Sequence, residues 1–227
     1  MGNATTAGDL LDRAYYRADM SEGFIERDQA RRDLGDAIAE LHQLLINSFE
    51  DYDIHQNEIT LVASTESYDL PSDFLRLRKA FKKTGSDRIE VRKFSLDELG
   101  DDSITFTSTG NLFRYRLLGD KIWISPTPGA SGTLELWYSK HPVRPTDDQE
   151  IVNFSAPSGW EDFLVYDVAS KMLMREESDP TAMVTEKEKA RQRITVQVGQ
   201  RDDDADVIVD YYKRFDDYDI ERRSGRW

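Results

Sequence analysis

Tyr115-Arg-Leu-Leu-Gly-Asp-Lys-Ile-Trp-Ile-Ser-Pro126 carries two short apolar runs on either side of Gly119-Asp120. A glycine in the first place of a two-residue loop supplies the positive φ of a type II′ turn, and that turn follows the twist of paired strands. The spacing therefore predicts a hairpin, Leu112–Leu118 with Lys121–Ser125, closed by the proline. A hairpin here decides the class of the whole chain, because the segments at both ends read as helix.

Around it, from about Ile54 to Val152, β-branched and aromatic residues cluster in short runs separated by Gly, Pro and Ser, the composition of strands and turns. Pro126, Pro128, Gly129 and Gly132 make a turn-rich stretch, after which Thr133–Tyr138 alternates and sets Leu134, Leu136 and Tyr138 on one face. Pro142 and Pro145 end that run. Towards the N-terminus, Leu10, Leu11, Ala14, Tyr15 and Ala18 recur at three- and four-residue intervals, which predicts a helix over about Thr6–Met20. After a break at Ser21–Gly23, Arg27–Phe49 aligns Leu34, Ile38, Leu41, Leu45 and Phe49 along one side of about six helical turns. Towards the C-terminus, Ser158 and Glu161 have the spacing of a capping box. Trp160, Phe163, Leu164, Val168 and Met172 give the helix that follows, to about Glu177, a broad apolar face. Asp179 as N-cap and Pro180 as first helical residue open a polar helix towards Gln200. The expected architecture is α+β: a helical bundle formed by the N- and C-terminal helices, an inserted antiparallel β-rich subdomain, and an extended C-terminal arm. The expected divisions are residues 1–54, 55–152, 153–200 and 201–227.

A chain of 227 residues can bury one good-sized core or two small ones without metal or disulfide staples. It has no cysteine, which excludes disulfides, zinc-thiolate sites and thiol chemistry and favours an intracellular origin. Acidic residues number 44 against 30 basic, a net charge of -14 that repels a nucleic-acid backbone unless the basic groups are segregated. Aromatics at 11% provide enough core-forming side chains for a folded protein rather than a disordered acidic tail. No window approaches the roughly 18 to 20 apolar residues of a membrane span, and Met1–Met20 mixes acids and arginines, so neither a standard secretory signal nor a membrane segment is expected.

Catalytic patterns are missing. No Gly-x-Ser-x-Gly elbow, phosphate-cradling loop or dinucleotide fingerprint occurs. His42, His55 and His141 lack any spacing that would bring two of them onto one face, so each reads as an ordinary surface or part-buried histidine. Asp202, Asp204 and Asp206 occupy the first, third and fifth places of a calcium loop, but Val207 stands where its glycine belongs and Lys213 where its glutamate belongs. That segment reads as a solvated acidic stretch. Asp101-Asp102 and Asp147-Asp148 lie in turn-like contexts and read as solvated loops, and the sequons at Asn3 and Asn153 lack a secretory route. No catalytic residue, cofactor or metal is expected.

The last segment offers more. Tyr211, Tyr212, Phe215, Tyr218 and Trp227, with Arg222, Arg223 and Arg226 near the end, are the residue types that dominate interface hot spots. They suit a docking arm, the alternative being that the aromatics pack back onto the chain's own helices.

Taken in order, the two N-terminal helices, Tyr68-Asp-Leu-Pro-Ser-Asp-Phe-Leu75 with Arg76–Phe81 behind it, the hairpin at 115–126, the strand Gly132-Thr-Leu-Glu-Leu-Trp-Tyr138 and the helix from Trp160 resemble the head-to-tail adaptor proteins of tailed bacteriophages. The likeness runs from about residue 5 to residue 200. It implies a non-enzymatic structural subunit of the virion neck, assembled in the host cytoplasm. In such proteins a homo-oligomeric ring, commonly a dodecamer, sits beneath the portal protein. It joins the capsid to the tail or to its nozzle or stopper protein, and DNA passes through with only transient, non-specific contact. It also implies that the C-terminal arm grips the portal, a task that would fall to Asp206–Trp227. Another neck or tail protein of the same particle, such as a stopper or tail-tube-like protein, and a bacterial ligand-binding module are the competing readings.

Overall fold

A computed structural model describes residues 5–95, 113–154 and 159–199. Helix α1 spans Ala7–Ala18 and α2 spans Arg27–Ser48. Among the described residues eight strands follow: β1 Ile54–Leu61, β2 Ser67–Asp69, β3 Phe74–Thr84, β4 Asp87–Glu90, β5 Arg92–Lys93, β6 Arg114–Leu118, β7 Lys121–Ser125 and β8 Gly132–Lys140. Two helices close the described part, α3 Trp160–Arg175 and α4 Thr181–Gly199. The protein is α+β, as the sequence predicts.

The helices share one core. Leu10, Leu11 and Ala14 of α1, Leu34, Leu41 and Leu45 of α2, Phe163, Leu164 and Val168 of α3, and Ile194 and Val198 of α4 are all buried in it. Each set follows the three- and four-residue spacing of a helical stripe. In α4 only Ala190, Ile194 and Val198 are buried, which agrees with its polar sequence. The first helix starts with a capping box that the sequence reading missed: Thr6 Oγ1 accepts from Asp9 N at 3.1 Å while Asp9 Oδ2 accepts from Thr6 N at 3.2 Å. The start of α3 does not match the predicted box at Ser158 and Glu161. α3 begins after Gly159, whose φ of 103 no side chain supports, so Glu161 is the second helical residue rather than the third. Its carboxylate instead accepts from Thr5 Oγ1 at 2.7 Å and pairs with Arg13. Ser158 itself lies outside the described residues. Asp179 does cap: its Oδ1 accepts from Thr181 N at 3.0 Å at the mouth of α4.

The strands form two four-stranded sheets, ordered β1-β8-β3-β4 and β2-β7-β6-β5. Among the described residues all strand pairings are antiparallel except β5 with β6. The predicted hairpin is β6–β7, with Leu118 opposite Lys121 and Gly119 at a φ of +62. Asp120 stays out of positive φ, which selects the type II′ form over type I′. Leu134, Leu136 and Tyr138 face inward from β8, as their alternation requires, and meet Ile122 and Ile124 of β7 in a second core separate from the helical one. Alternation does not account for Glu135. It points to the opposite face yet is 2% exposed, accepting from Trp137 Nε1 at 2.6 Å and Arg88 Nε at 3.1 Å.

The stretch from His141 to Phe154 ties the two units together. Thr6 and Ile151 form an antiparallel bridge, and Gly8 N donates to Asp148 O at 2.9 Å. A Cβ on Gly8 would stand 3.1 Å from that oxygen and 3.2 Å from Asp148 Cβ, so glycine permits the approach.

Candidate interaction surfaces

All the residues assigned to a docking arm, Tyr211, Tyr212, Phe215, Tyr218, Arg222, Arg223, Arg226 and Trp227, lie outside the described residues, as do Asp202, Asp204, Asp206 and the pair Asp101-Asp102. The other sequence candidates can be placed.

Two of the histidines meet, against expectation. The end of α2 and the start of β1 flank a tight turn in which Asp53 has a φ of +52. His42 Nε2 lies 3.4 Å from Asp53 Oδ2, and His55 Nε2 lies 3.1 Å from Asp53 Oδ1. The hydrogen bond with His42 holds the Asp53 carboxyl below its ordinary value; burial opposes this and the bond with His55 adds to it. His42 is buried, edge-on to the Tyr52 ring with centroids 6.2 Å apart. Sequence spacing could not reveal the pairing because the turn, not a helix face, creates it. His141 stands apart, with its backbone N donating to Asp73 O at 2.8 Å. Among the described residues, no three His, Asp or Glu side chains are grouped to hold a metal ion.

Asp148 is not a solvated loop residue. Its carboxylate accepts from Arg27 Nε and from Arg31 Nε at 3.1 Å and Nη2 at 2.8 Å. Burial alone would raise this carboxyl; the bonds from Arg31 and Arg27 outweigh it and keep the carboxyl below the ordinary value of 3.8. Its partners lie 117 and 121 residues away, which is why no local motif announces it. Asp147, by contrast, serves its own turn, accepting from Gln149 N at 2.6 Å.

Beside this joint lies a cleft of about 220 Å³, lined by Ile38, Tyr52, Phe154, Asp53, Lys140 and Glu150 among others. Val143 and Ile151, 72% and 64% exposed, stand on its rim. They are apolar residues in a Pro-punctuated linker, a signal present in His141-Pro-Val-Arg-Pro145 but not interpretable without the fold. Two further exposed apolar residues, Leu118 and Trp123, lie on the hairpin.

Charge is divided unevenly. Residues 54–140 carry 12 acidic and 12 basic side chains, so the whole surplus of -14 falls on the remainder of the chain. Within the strands, the stretch from Phe74 to Lys93 has eight basic residues against Asp87 and Glu90. Several of these are matched: Lys83 to Glu58 at 2.7 Å, Arg78 to Asp51 at 2.7 Å and Arg88 to Glu135 at 3.1 Å.

The geometry defines a two-core α+β protein whose main accessible features among the described residues are an apolar-rimmed cleft, exposed hairpin side chains and segregated charge. The family model for SU10 adaptor proteins matches residues 5–211, and the chain belongs to that family of phage head-tail adaptors. No curated protein matches the chain. The matched span takes in both cores and ends at Tyr211, so of the arm residues only Tyr211 lies within it. The family points to a structural component of the virion at the head-tail junction that associates with other phage head and tail proteins. No helix among the described residues is long and apolar enough to cross a membrane.

Proposed function

We propose that the chain is a subunit of a homo-oligomeric ring beneath the phage portal, linking the capsid to the tail or its nozzle protein and giving passage to DNA. The family match over residues 5–211 carries this reading. The helices form the ring body, and the stretch around Tyr211–Trp227 docks on the portal through its aromatic and arginine side chains. A repeated heterologous contact closes such a ring, commonly of twelve copies, and each free subunit must remain soluble before closure. The surplus of acidic groups outside residues 54–140 suits that need. Acidic groups facing a channel would also repel the phosphate backbone and let DNA slide.

The test is electron microscopy of the full-length protein mixed with portal rings. The expected result is a closed ring seated on the portal, and deletion of Tyr211–Trp227 should abolish seating while helical circular dichroism is kept. Binding to a preassembled adaptor ring instead of the portal would overturn the assignment in favour of a stopper-like role. Seating retained after the deletion would remove the arm from the mechanism.

A further inference from the structure

The cleft at the joint is small for a ligand site, since small-molecule pockets run to about 300–1,000 Å³. Its volume of about 220 Å³ suits a single large side chain. Ile38, Tyr52 and Phe154 give it apolar walls, and Lys140, Glu150 and Asp53 bring polar groups to the same lining. That mixture fits an aromatic side chain with one polar atom, a tyrosine or tryptophan, better than an aliphatic one. Val143 and Ile151 on the rim extend the apolar contact beyond the cleft itself.

The direction of α4 says which chain can supply such a side chain. Lys187 pairs with Asp167 at 2.7 Å and Arg193 approaches Asp162 at 4.0 Å, so α4 runs antiparallel to α3 and Gly199 lies at the Trp160 end of α3. Trp160 packs against Phe154, ring centroids 5.3 Å apart, and Phe154 lines the cleft. Gly199, the last described residue, thus lies at the end of the helical unit where Phe154 packs and lines the cleft. From there to Tyr211 an extended chain reaches ~40 Å, and Tyr211, Tyr212, Phe215, Tyr218 and Trp227 follow. A segment of the same chain meets the cleft at an effective concentration of about millimolar, enough to occupy it where the intrinsic Kd is of that order or tighter.

We propose that this cleft is a docking site for an aromatic side chain of the chain's own segment Tyr211–Trp227, occupied in the free subunit. Docking there covers Val143 and Ile151 and shields the arm's aromatic surface until assembly. None of the tests below involves a portal, so this inference and the adaptor reading fail separately.

The chain has no cysteine, so Gln149→Cys with Ser224→Cys provides two labelling positions in the full-length protein. Pulsed electron paramagnetic resonance between spin labels should give a narrow short-distance population that survives dilution with unlabelled chain. Adding Val143→Asp and Ile151→Asp should abolish that population without changing far-UV circular dichroism, because neither side chain belongs to the helical or the strand core. Trypsin cleavage after Lys213 and Arg214 should become roughly tenfold faster in the same variant, since cleavage of a docked segment follows its open fraction. A broad distance distribution in the parent, or a short one indifferent to the rim substitutions, would overturn the proposal. So would a short population that disappears on dilution, because the occupant would then be a second copy's segment.

Discussion

The helical unit and the strand unit solve the same problem with different means. The helical core is broad and mostly aliphatic, and its buried charges act as clasps between helices. Asp33, 5% exposed, accepts from Arg175 across α2 and α3, with one contact at 2.8 Å. Asp167, 3% exposed, takes Lys187 of α4 at 2.7 Å. The strand core is much smaller, and polar contacts do more of the positioning. Tyr68 Oη donates to Thr65 O at 3.0 Å and accepts from Val62 N at 3.0 Å, Tyr138 Oη donates to Asp73 Oδ1 at 2.9 Å, and Glu135 is held by Trp137 and Arg88. Burial, with the bond to Asp73 second, pushes the Tyr138 hydroxyl up to about 12. The contrast teaches that the helices define a body through apolar area, whereas the strands depend on a few oriented hydrogen bonds. A single substitution should therefore act through volume in one unit and through an orphaned polar group in the other.

The sharpest break of that contrast is Phe163→Ala. Phe163 is fully buried in α3 with the Lys187 ammonium 5.1 Å from its ring centroid, so truncation removes both a large volume and a cation–π contact. A loss of about 4 kcal/mol is expected in urea unfolding followed by helical circular dichroism. Near-UV signals from Trp123 and Trp137, both on strands, should shift to the same midpoint. Leu75 of β3 packs on the helical core and Ser139 Oγ donates to Tyr52 O, so the units are joined through side chains as well as the linker. Separate midpoints would show two independent folding units.

Arg88→Ala is the counterpart in the strands. The arginine is half-exposed, but the Glu135 side chain it serves is only 3% exposed and would keep Trp137 as its remaining partner. Glu58 sits directly opposite Glu135 across β1 and β8 but keeps Lys83 at 2.7 Å, so the uncompensated charge is that of Glu135. The expected loss is about 3 kcal/mol. Glu135→Gln combined with Arg88→Ala should recover part of it, because an amide tolerates the site without a counter-charge. No recovery would mean that Arg88 acts by packing on Trp137, which lies 6.0 Å from its guanidinium, rather than by charge.

Much of the helical body was legible in the sequence, since each helix carries its own period: Leu34, Ile38, Leu41 and Leu45 mark α2 without any help from the fold. The β6–β7 hairpin was legible for a similar reason, because Gly119 encodes its turn locally. What escaped was side-chain pairing that only the folded chain creates. Nothing around Glu135 signals that Arg88 will bury it, and nothing in the spacing of His42 and His55 places both on Asp53. The capping error has a local cause. Ser158-Gly-Trp-Glu161 has the right spacing, but Gly159 takes a left-handed conformation and starts α3 one residue later. The cleft was illegible because its lining comes from α2, the turn after it, β8 and the linker, brought together only by the joint.

Asp148 tests that joint, and its effect should be the smallest of the three. Asp148→Asn keeps the shape but removes the charge that Arg27 and Arg31 share, and Arg27 retains Asp12 and Glu22 while Arg31 retains Asp28. A loss of about 2 kcal/mol near neutral pH is expected. The sign of its pH dependence follows from the depressed carboxyl. A group held below its unfolded value of 3.8 stabilises the fold above that value and loses its contribution as pH falls through the lower, folded value. Urea midpoints of parent and variant should therefore differ fully near pH 7 and converge below about pH 4. A difference that persisted undiminished in acid would mean that the carboxylate's charge is irrelevant. The linker would then be tied to α1 by main chain, through the bonds of Ala7, Gly8 and Val152 and the Thr6–Ile151 bridge, rather than by the Asp148 clasp.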